Sequence, residues 1–240
     1  MENSIYIGLS QQMALKRRMD ITANNIANMS TTAFKNVHPL FEEYLVKDPK
    51  ATDMSYVQDY GVYHDKTEGA IQQTGRPLDL AISGNGYFTI ETDNGNRFTR
   101  NGNFKLDPDG FVVTQNGGYL LDEGGDRIQV SEEQPDIEIA PDGTVNLGIE
   151  ETKKIDLVFF QNEQLLTQVG NGYYDAGNIR PRPSEDAKVL QGSLEQSNVQ
   201  PILEMTAMVD ILRTYQAAQK LLDAEHDMQM KSIEELPSIQ

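Results

Sequence analysis

Pro201-Ile-Leu-Glu-Met-Thr-Ala-Met-Val-Asp-Ile-Leu-Arg-Thr-Tyr215 puts apolar side chains at Ile202, Met205, Met208, Val209, Leu212 and Tyr215, and the pattern continues to Leu222. Steps of three and four residues hold such positions on one side of an α-helix. The stretch predicts a helix over 198–236. Asn198 is a candidate N-cap, Pro201 falls in the first turn where no backbone N–H is needed, and Pro237 breaks the pattern. A single amphipathic helix cannot bury its stripe alone, so this one needs a partner.

The other end of the chain supplies a candidate. Residues 4–29 read as a second helix, capped at Asn3 or Ser4, with Ile5, Leu9, Met13, Met19, Ala23 and Ile26 as its apolar positions and Lys16 intruding. At ~1.5 Å per residue it would be roughly 40 Å long. It should end over 28–32, where Asn, Ser and Thr compete for backbone hydrogen bonds. Asn24, Asn25 and Asn28 are poor helix formers near that end. They either bond across subunits and fix register, as a buried Asn does in coiled coils, or cap a fraying terminus. Residue chemistry by itself favours capping.

Between the helices lies a different kind of sequence. Residues 36–75 have weak periodicity and many tyrosines (Tyr44, Tyr56, Tyr60, Tyr63), and read as an extended connecting segment. Asn94-Gly95, Asn101-Gly102, Asp109-Gly110, Asn116-Gly117, Gly124-Gly125 and Asp142-Gly143 are strong turn pairs. Between several of them sit short β-prone runs at 87–90, 111–113 and 119–121, which predicts a succession of tight hairpins. Ile155 to Phe160 is an apolar run suited to a buried strand, and 175–188 reads as a connector. The expected fold is α+β. Long N- and C-terminal helices pair as a coiled-coil-like domain (1–35 and 190–240), with a connecting segment (36–75) and a central, mostly antiparallel β domain (76–189).

Composition narrows the partners. Lys and Arg number 20 against 37 Asp and Glu, a net charge of −17. A nucleic-acid backbone would repel such a surface, and assembly must come from specific contacts. No window approaches the ~20 apolar residues of a spanning helix, so membrane insertion is not expected. Met1-Glu-Asn-Ser-Ile-Tyr6 has no basic region followed by an apolar run, so no cleaved secretory signal is expected. The absence of cysteine excludes disulfides and thiolate chemistry.

Enzyme signals are thin, and no catalytic, cofactor-binding or metal-binding residue is assigned. His38, His64 and His226 lack metal-ligand spacing. Asp107-Pro-Asp109-Gly110 shares part of a calcium-loop pattern without its distal Glu, and reads as a turn. Gly84-Asn-Gly86 runs into strand-like Tyr87-Phe88 rather than a helix, which argues against phosphate binding. Two readings of different class stand: a self-assembling structural subunit, and a secreted wall hydrolase or binding module with paired carboxylates in its β domain.

Three stretches carry a resemblance. Ile21-Thr-Ala-Asn24-Asn25-Ile-Ala-Asn28 with Thr31-Thr32-Ala-Phe34-Lys35 resembles the N-terminal signature of bacterial flagellar axial proteins. Leu78-Asp79-Leu-Ala-Ile-Ser-Gly84-Asn-Gly86-Tyr-Phe88 resembles the opening of the central β domain in rod and hook members. Gly192-Ser193-Leu194-Glu195-Gln-Ser-Asn198-Val199 resembles their approach to the C-terminal helix. The start, the length and Gln200-Pro201-Ile-Leu-Glu-Met are most similar to the proximal rod type, with the distal rod type as near neighbour. Ala33 stands where that family commonly has Gly; Ala disfavours φ > 0, so the chain is expected to leave the helix differently.

The resemblance implies a subunit of the flagellar basal-body rod. It would be exported without a cleaved signal through the flagellum's own type III apparatus and located in the periplasm. It would stack as a homo-oligomer, beside neighbouring rod proteins, into a helical tube that transmits torque. It implies no cofactor, and it turns the Asn cluster toward subunit contact. The residues expected at subunit interfaces are Leu9, Met19, Asn24, Asn25, Ile26, Asn28, Phe34, Asn198, Met205, Val209, Leu212, Tyr215 and Leu222.

Overall fold

Helix α1 spans Glu2–Ala27 and helix α2 spans Pro201–Glu234 in the computed structural model, which describes residues 2–46, 54–130, 137–146, 152–184 and 186–234. The chain divides into two units. One holds Met1–Asn28, Asn36–Asp65 and Val199–Gln240; the other holds Met29–Lys35 and Lys66–Asn198.

In the first unit α1 and α2 pack antiparallel. Asn25 near the end of α1 reaches Glu204 near the start of α2 (Nδ2 to Oε2, 3.5 Å). Gly8 near the start of α1 lies against Leu222, so close that a Cβ at residue 8 would sit 2.6 Å from Leu222 Cδ2. Pro201 opens α2 as expected. The first helical bond runs from Glu204 N–H to Gln200 C=O, so Gln200 occupies the cap position assigned to Asn198. α1 already starts at Glu2, ahead of both expected caps. Its end is closed by Asn28, whose amide donates to the carbonyl and the side-chain oxygen of Asn24 at 2.9 Å each.

Residues 36–65 are not a featureless connector. They form a long antiparallel hairpin of β1 (Val37–Val46) and β2 (Met54–His64), paired from Val37↔His64 to Val46↔Met54 with a bulge between Leu40 and Phe41. An ion pair joins it to α1, Arg17 Nε to Asp59 Oδ2 at 3.2 Å. Most hairpin side chains are at least partly open to water, so no hydrophobic alternation announces the strands.

Among the described residues of the second unit every strand pairing is antiparallel, and one short 3-10 helix, Glu163–Leu165, interrupts the strands. β3 (Ile71–Gln73) and β4 (Leu80–Ser83) precede β5 (Tyr87–Thr92), β6 (Gly95–Thr99), β7 (Phe104–Leu106), β8 (Val112–Thr114) and β9 (Tyr119–Leu120). β10 (Glu138–Ile139), β11 (Thr144–Asn146) and β12 (Thr152–Lys154) make a small separate sheet. β13 (Leu157–Phe159), β14 (Thr167–Gln168), β15 (Tyr174–Asp175) and β16 (Arg182–Pro183) join the main sheet, whose order is β14-β15-β6-β5-β9-β8-β7 with β13 linking β5 to β16. β17 (Lys188–Gln191) returns to pair β4, and β18 (Ser193–Glu195) to pair β3. The stretch 175–188, expected as a connector, thus contributes strand residues to the sheet.

Four of the six turn pairs close hairpins between strands, and Gly124-Gly125 turns within the isolated bridge Leu121↔Arg127. Asn94-Gly95, Asp109-Gly110, Asn116-Gly117 and Asp142-Gly143 close the β5–β6, β7–β8, β8–β9 and β10–β11 hairpins, and the last three glycines and Gly95 all have positive φ. Asn101-Gly102 closes no hairpin. Gly102 instead lets the backbone of Leu80 approach, since a Cβ there would lie 1.7 Å from the Leu80 carbonyl oxygen. β5 is the axis of the core. Phe88 and Ile90 point into a large cluster with Leu80, Phe104, Leu120 and Ile155, and Tyr87 points to a second cluster with Phe98, Phe160 and Tyr174. A strand buried on both faces reads as a continuous apolar run, as this one does.

Candidate assembly surface and the signature junction

α2 carries two apolar faces, not one stripe. Ile211 is buried, and Glu204, Met208, Tyr215, Ala218, Leu222, Glu225 and Gln229 are half-buried; these recur in the four-and-three rhythm of a heptad seam. Ile202 (79% exposed), Met205, Val209 and Leu212 (40% exposed) follow a separate line and lie open to water. The sequence pattern merged the two lines because helical neighbours at three and four residues overlap.

α1 departs further from expectation. Its buried face is Leu15, Ile21, Thr22 and Asn25, while Leu9 and Met13 (65% exposed) are in solvent together with Tyr6. Met19 and Ile26 are half-buried and Ala23 is exposed. Thr22 and Asn25 belong to the buried face without being apolar, so an apolar count does not find the face buried within the chain. Asn25 shows why a polar group can be there. Its amide donates to Val37 C=O at 2.9 Å and its oxygen accepts from Val37 N–H at 3.1 Å, which satisfies both groups at the first residue of β1. Asn36 adds a bond to Glu204, Nδ2 to Oε1 at 3.0 Å. Asn25 thus bonds β1 and α2 of its own chain, and Asn24 and Asn28 bond each other at the helix end.

In the second unit one residue from each signature stretch, Lys35, Gly84 and Glu195, joins a single cluster. Lys35 Nζ lies 2.6 Å from Glu195 Oε1 and donates to Thr67 C=O at 2.8 Å. The Arg100 guanidinium faces the other carboxylate oxygen of Glu195 at 3.2 Å and donates to Gly84 C=O at 2.7 Å. Gly69 N–H also donates to Glu195 Oε1. The side chains of Lys35, Arg100 and Glu195 are 7%, 4% and 1% exposed. Burial pushes the Lys35 ammonium below its ordinary pKa, and the Glu195 carboxylate opposes that shift. Ala33 N–H donates to Glu195 C=O at 2.8 Å, and Asn198 N–H donates to the carbonyl of the buried Phe34. The Asn198 amide bonds Thr67, both carbonyl and hydroxyl, in place of capping α2. Ala33 does adopt positive φ, 56°, so the chain makes the turn that glycine would make without strain. The middle signature is held by Asp79, whose carboxylate pairs with Arg76 in two bonds of 2.8 and 2.9 Å and accepts from Thr74 Oγ1. Neither Lys35 nor Glu195 carries a local mark of this role; a cation after Phe34 and an anion after Leu194 are the available signal.

The turn reading of Asp107 holds, since its carboxylate accepts from Asp109 N–H and Phe111 N–H. Among the described residues no cluster of three potential metal ligands is present, and no helix is long and apolar enough to cross a membrane.

Comparison with known proteins matches the two ends and the middle separately. Residues 5–35 match the family described as flagella basal body rod protein, 81–147 the flagellar hook protein FlgE/F/G D1 domain, and 190–235 the flagellar basal body rod FlgEFG protein C-terminal. The chain is 37% identical to the flagellar basal-body rod protein FlgF of Caulobacter vibrioides over the full length of both. It is 33% identical to FlgF of Rhizobium meliloti, covering 98% of each. It is 31% identical to the rod protein FlgG of Bacillus subtilis, covering 95% of this chain and 97% of the relative. These relatives are structural flagellar rod proteins, not enzymes. With its ends and middle matched in order and its whole length aligned, the chain belongs to the flagellar basal-body rod proteins and is of the FlgF type.

Proposed function

We propose that this rod subunit assembles through the helices of its first unit. α1 and α2 form a coiled-coil-like pair within each subunit and turn their outer faces to neighbouring subunits, building a helical tube that carries torque. Leu9, Met205, Val209 and Leu212 make the contacts between subunits. Met19, Ile26, Tyr215 and Leu222 hold the pair together, and Asn24, Asn25, Asn28, Phe34 and Asn198 shape the chain where it leaves and rejoins the helices. The subunit travels through the flagellar export apparatus, takes its place in the periplasmic part of the basal body, and adjoins other rod proteins there.

One observation carries this reading. The line Ile202, Met205, Val209, Leu212 remains in water although the same helix already buries a second apolar line against its own subunit. A contiguous exposed apolar patch on so acidic a chain marks an interaction surface. Replacing Leu212 with Asp would place a carboxylate in that interface, at a cost of several kcal/mol if it cannot reach water. The variant subunit should retain its circular dichroism spectrum while the strain loses motility and yields no rods. A Leu212→Asp strain that swims normally overturns the reading.

A further inference from the structure

Resting on that assembly reading, we infer that α1 of one subunit docks on the outer face of α2 of a second copy, with Tyr6 opposite Leu212, Leu9 opposite Val209 and Met13 opposite Met205. The consequence is a stagger of about 18 Å between the two subunits along the helices.

The surface on α1 is Tyr6, Leu9 and Met13, exposed by 60%, 48% and 65%. They succeed one another at intervals of three and four residues. On α2, reading backwards from Leu212, the exposed residues Val209 and Met205 succeed at three and four. Two helices that run in opposite directions therefore bring the two lines into contact pair by pair. A subunit cannot use both lines on itself, because its own α1 and α2 already meet through other faces, with Gly8 at Leu222 and Asn25 at Glu204.

Direction and register follow from symmetry. An interface between two different surfaces of one protein is heterologous, and repeated without closure it generates a helix. Where the helices run along the axis of that assembly, every copy points the same way. The α1 of a neighbour is then antiparallel to this α2, as the subunit's own α1 is. Within a subunit the Gly8–Leu222 register puts Leu9 near Leu221. In the docked register Leu9 meets Val209, about twelve residues away, which at ~1.5 Å per residue gives the stagger.

The area says what kind of occupant fits. The six side chains involved are 40% to 65% exposed, a smaller surface than a full interface. A stable independent interface clears about 1,000 Å². One such contact will not hold a dimer in solution, but a lattice gives each subunit the contact twice, once through α1 and once through α2. The occupant is a second copy of this chain because the matching line lies on the chain itself.

The absence of cysteine makes the register directly testable. Rods carrying Leu9→Cys with Val209→Cys, or independently Met13→Cys with Met205→Cys, are treated with oxidant or a short bis-maleimide and resolved on a denaturing gel. Ladders of linked subunits are expected from both pairs, and none from any single variant. The pair Leu9→Cys with Asp223→Cys reports an unstaggered neighbour and should not link. Ladders from that pair alone overturn the register while leaving α2 as an assembly surface. Dimers from a single variant overturn the heterologous contact. Assembled rods that link through no pair overturn the docking proposal, and if Leu212→Asp also assembles, the assembly reading falls with it.

Discussion

Lys35 and Glu195 stand 160 positions apart in the chain and meet at 2.6 Å with both side chains withdrawn from water. Arg100 supplies a second cation to the same carboxylate. The cluster fastens the segment after α1, the β domain and the last strand before α2 to one another within the second unit. Its weak point is the shared partner: without Glu195, two buried cations are left with only the part-exposed Glu68 carboxylate, 3.6 Å from Arg100.

Removing one member of a buried ion pair costs about 3–5 kcal/mol because the other charge is left without compensation. Glu195→Ala should therefore lower the melting temperature of the purified subunit by about 10 °C. Lys35→Met, which removes a cation and leaves Arg100 with the carboxylate, should cost less. A thermal melt by circular dichroism measures both. A Glu195→Ala loss under about 1 kcal/mol would remove the cluster from the forces holding this unit.

Asn25→Ala deletes a donor and an acceptor that together satisfy the backbone of Val37. Leaving two buried groups unmet should cost about 2–4 kcal/mol. The effect should be local first: amide exchange at Val37 accelerates while Phe88 and Ile90 in the second unit keep their protection. Unchanged exchange at Val37 would contradict the assigned bond.

What the sequence made legible, and what it hid, follows from the kind of signal each element leaves. The helices were visible because a periodic stripe and a first-turn Pro201 are local, and most hairpins because an Asn-Gly or Asp-Gly pair dictates its own turn. The β1–β2 hairpin was hidden because its side chains are mostly wet and carry no alternation. The face of α1 that is buried within the subunit was hidden because two of its residues, Thr22 and Asn25, are polar. Lys35–Glu195 is a contact between distant residues, which no window of sequence can display. Which apolar line of α2 faces inward depended on α1, so the outer face was legible only once the inner one was seen.

Ala33 has φ of 56°, in a region that costs an L-residue about 1–2 kcal/mol. Ala33→Gly relieves that cost but adds backbone freedom to the unfolded chain. The net expectation is a gain of about 0.5–1 kcal/mol, read as a small rise in the denaturation midpoint. A loss of stability would show that the methyl group at residue 33, which is buried, contributes more than the strain removes.

His64 is held below its ordinary value of 6.5 by burial in the first unit. The folded state then binds this proton less readily than the unfolded state. The sign is fixed: stability is unaffected by His64 above about pH 6.5, and falls as pH drops from there toward the lower folded value. Denaturant titrations between pH 7.5 and 5 should show this slope, at about those values, and His64→Gln should flatten it. An equal slope in the variant would assign the pH dependence to other groups.

The second unit should fold without the helices, provided the fragment is cut where its strands end. β4 finds its partner in β17 and β3 in β18, and Ala187 and Val189 belong to the main core. A fragment of 76–185 lacks both returning strands and leaves the β4 edge bare, an invitation to aggregation. A fragment of 66–198 keeps every one of these pairings, along with Glu195 and Arg100. It should be soluble, monomeric in sedimentation because its turns make most contacts local and neither helix is present, and without hydrolytic action on cell wall. The shorter fragment should unfold at lower denaturant or precipitate. Filaments formed by the 66–198 fragment would show that assembly proceeds without α1 and α2, and would transfer the assembly surface to the β domain.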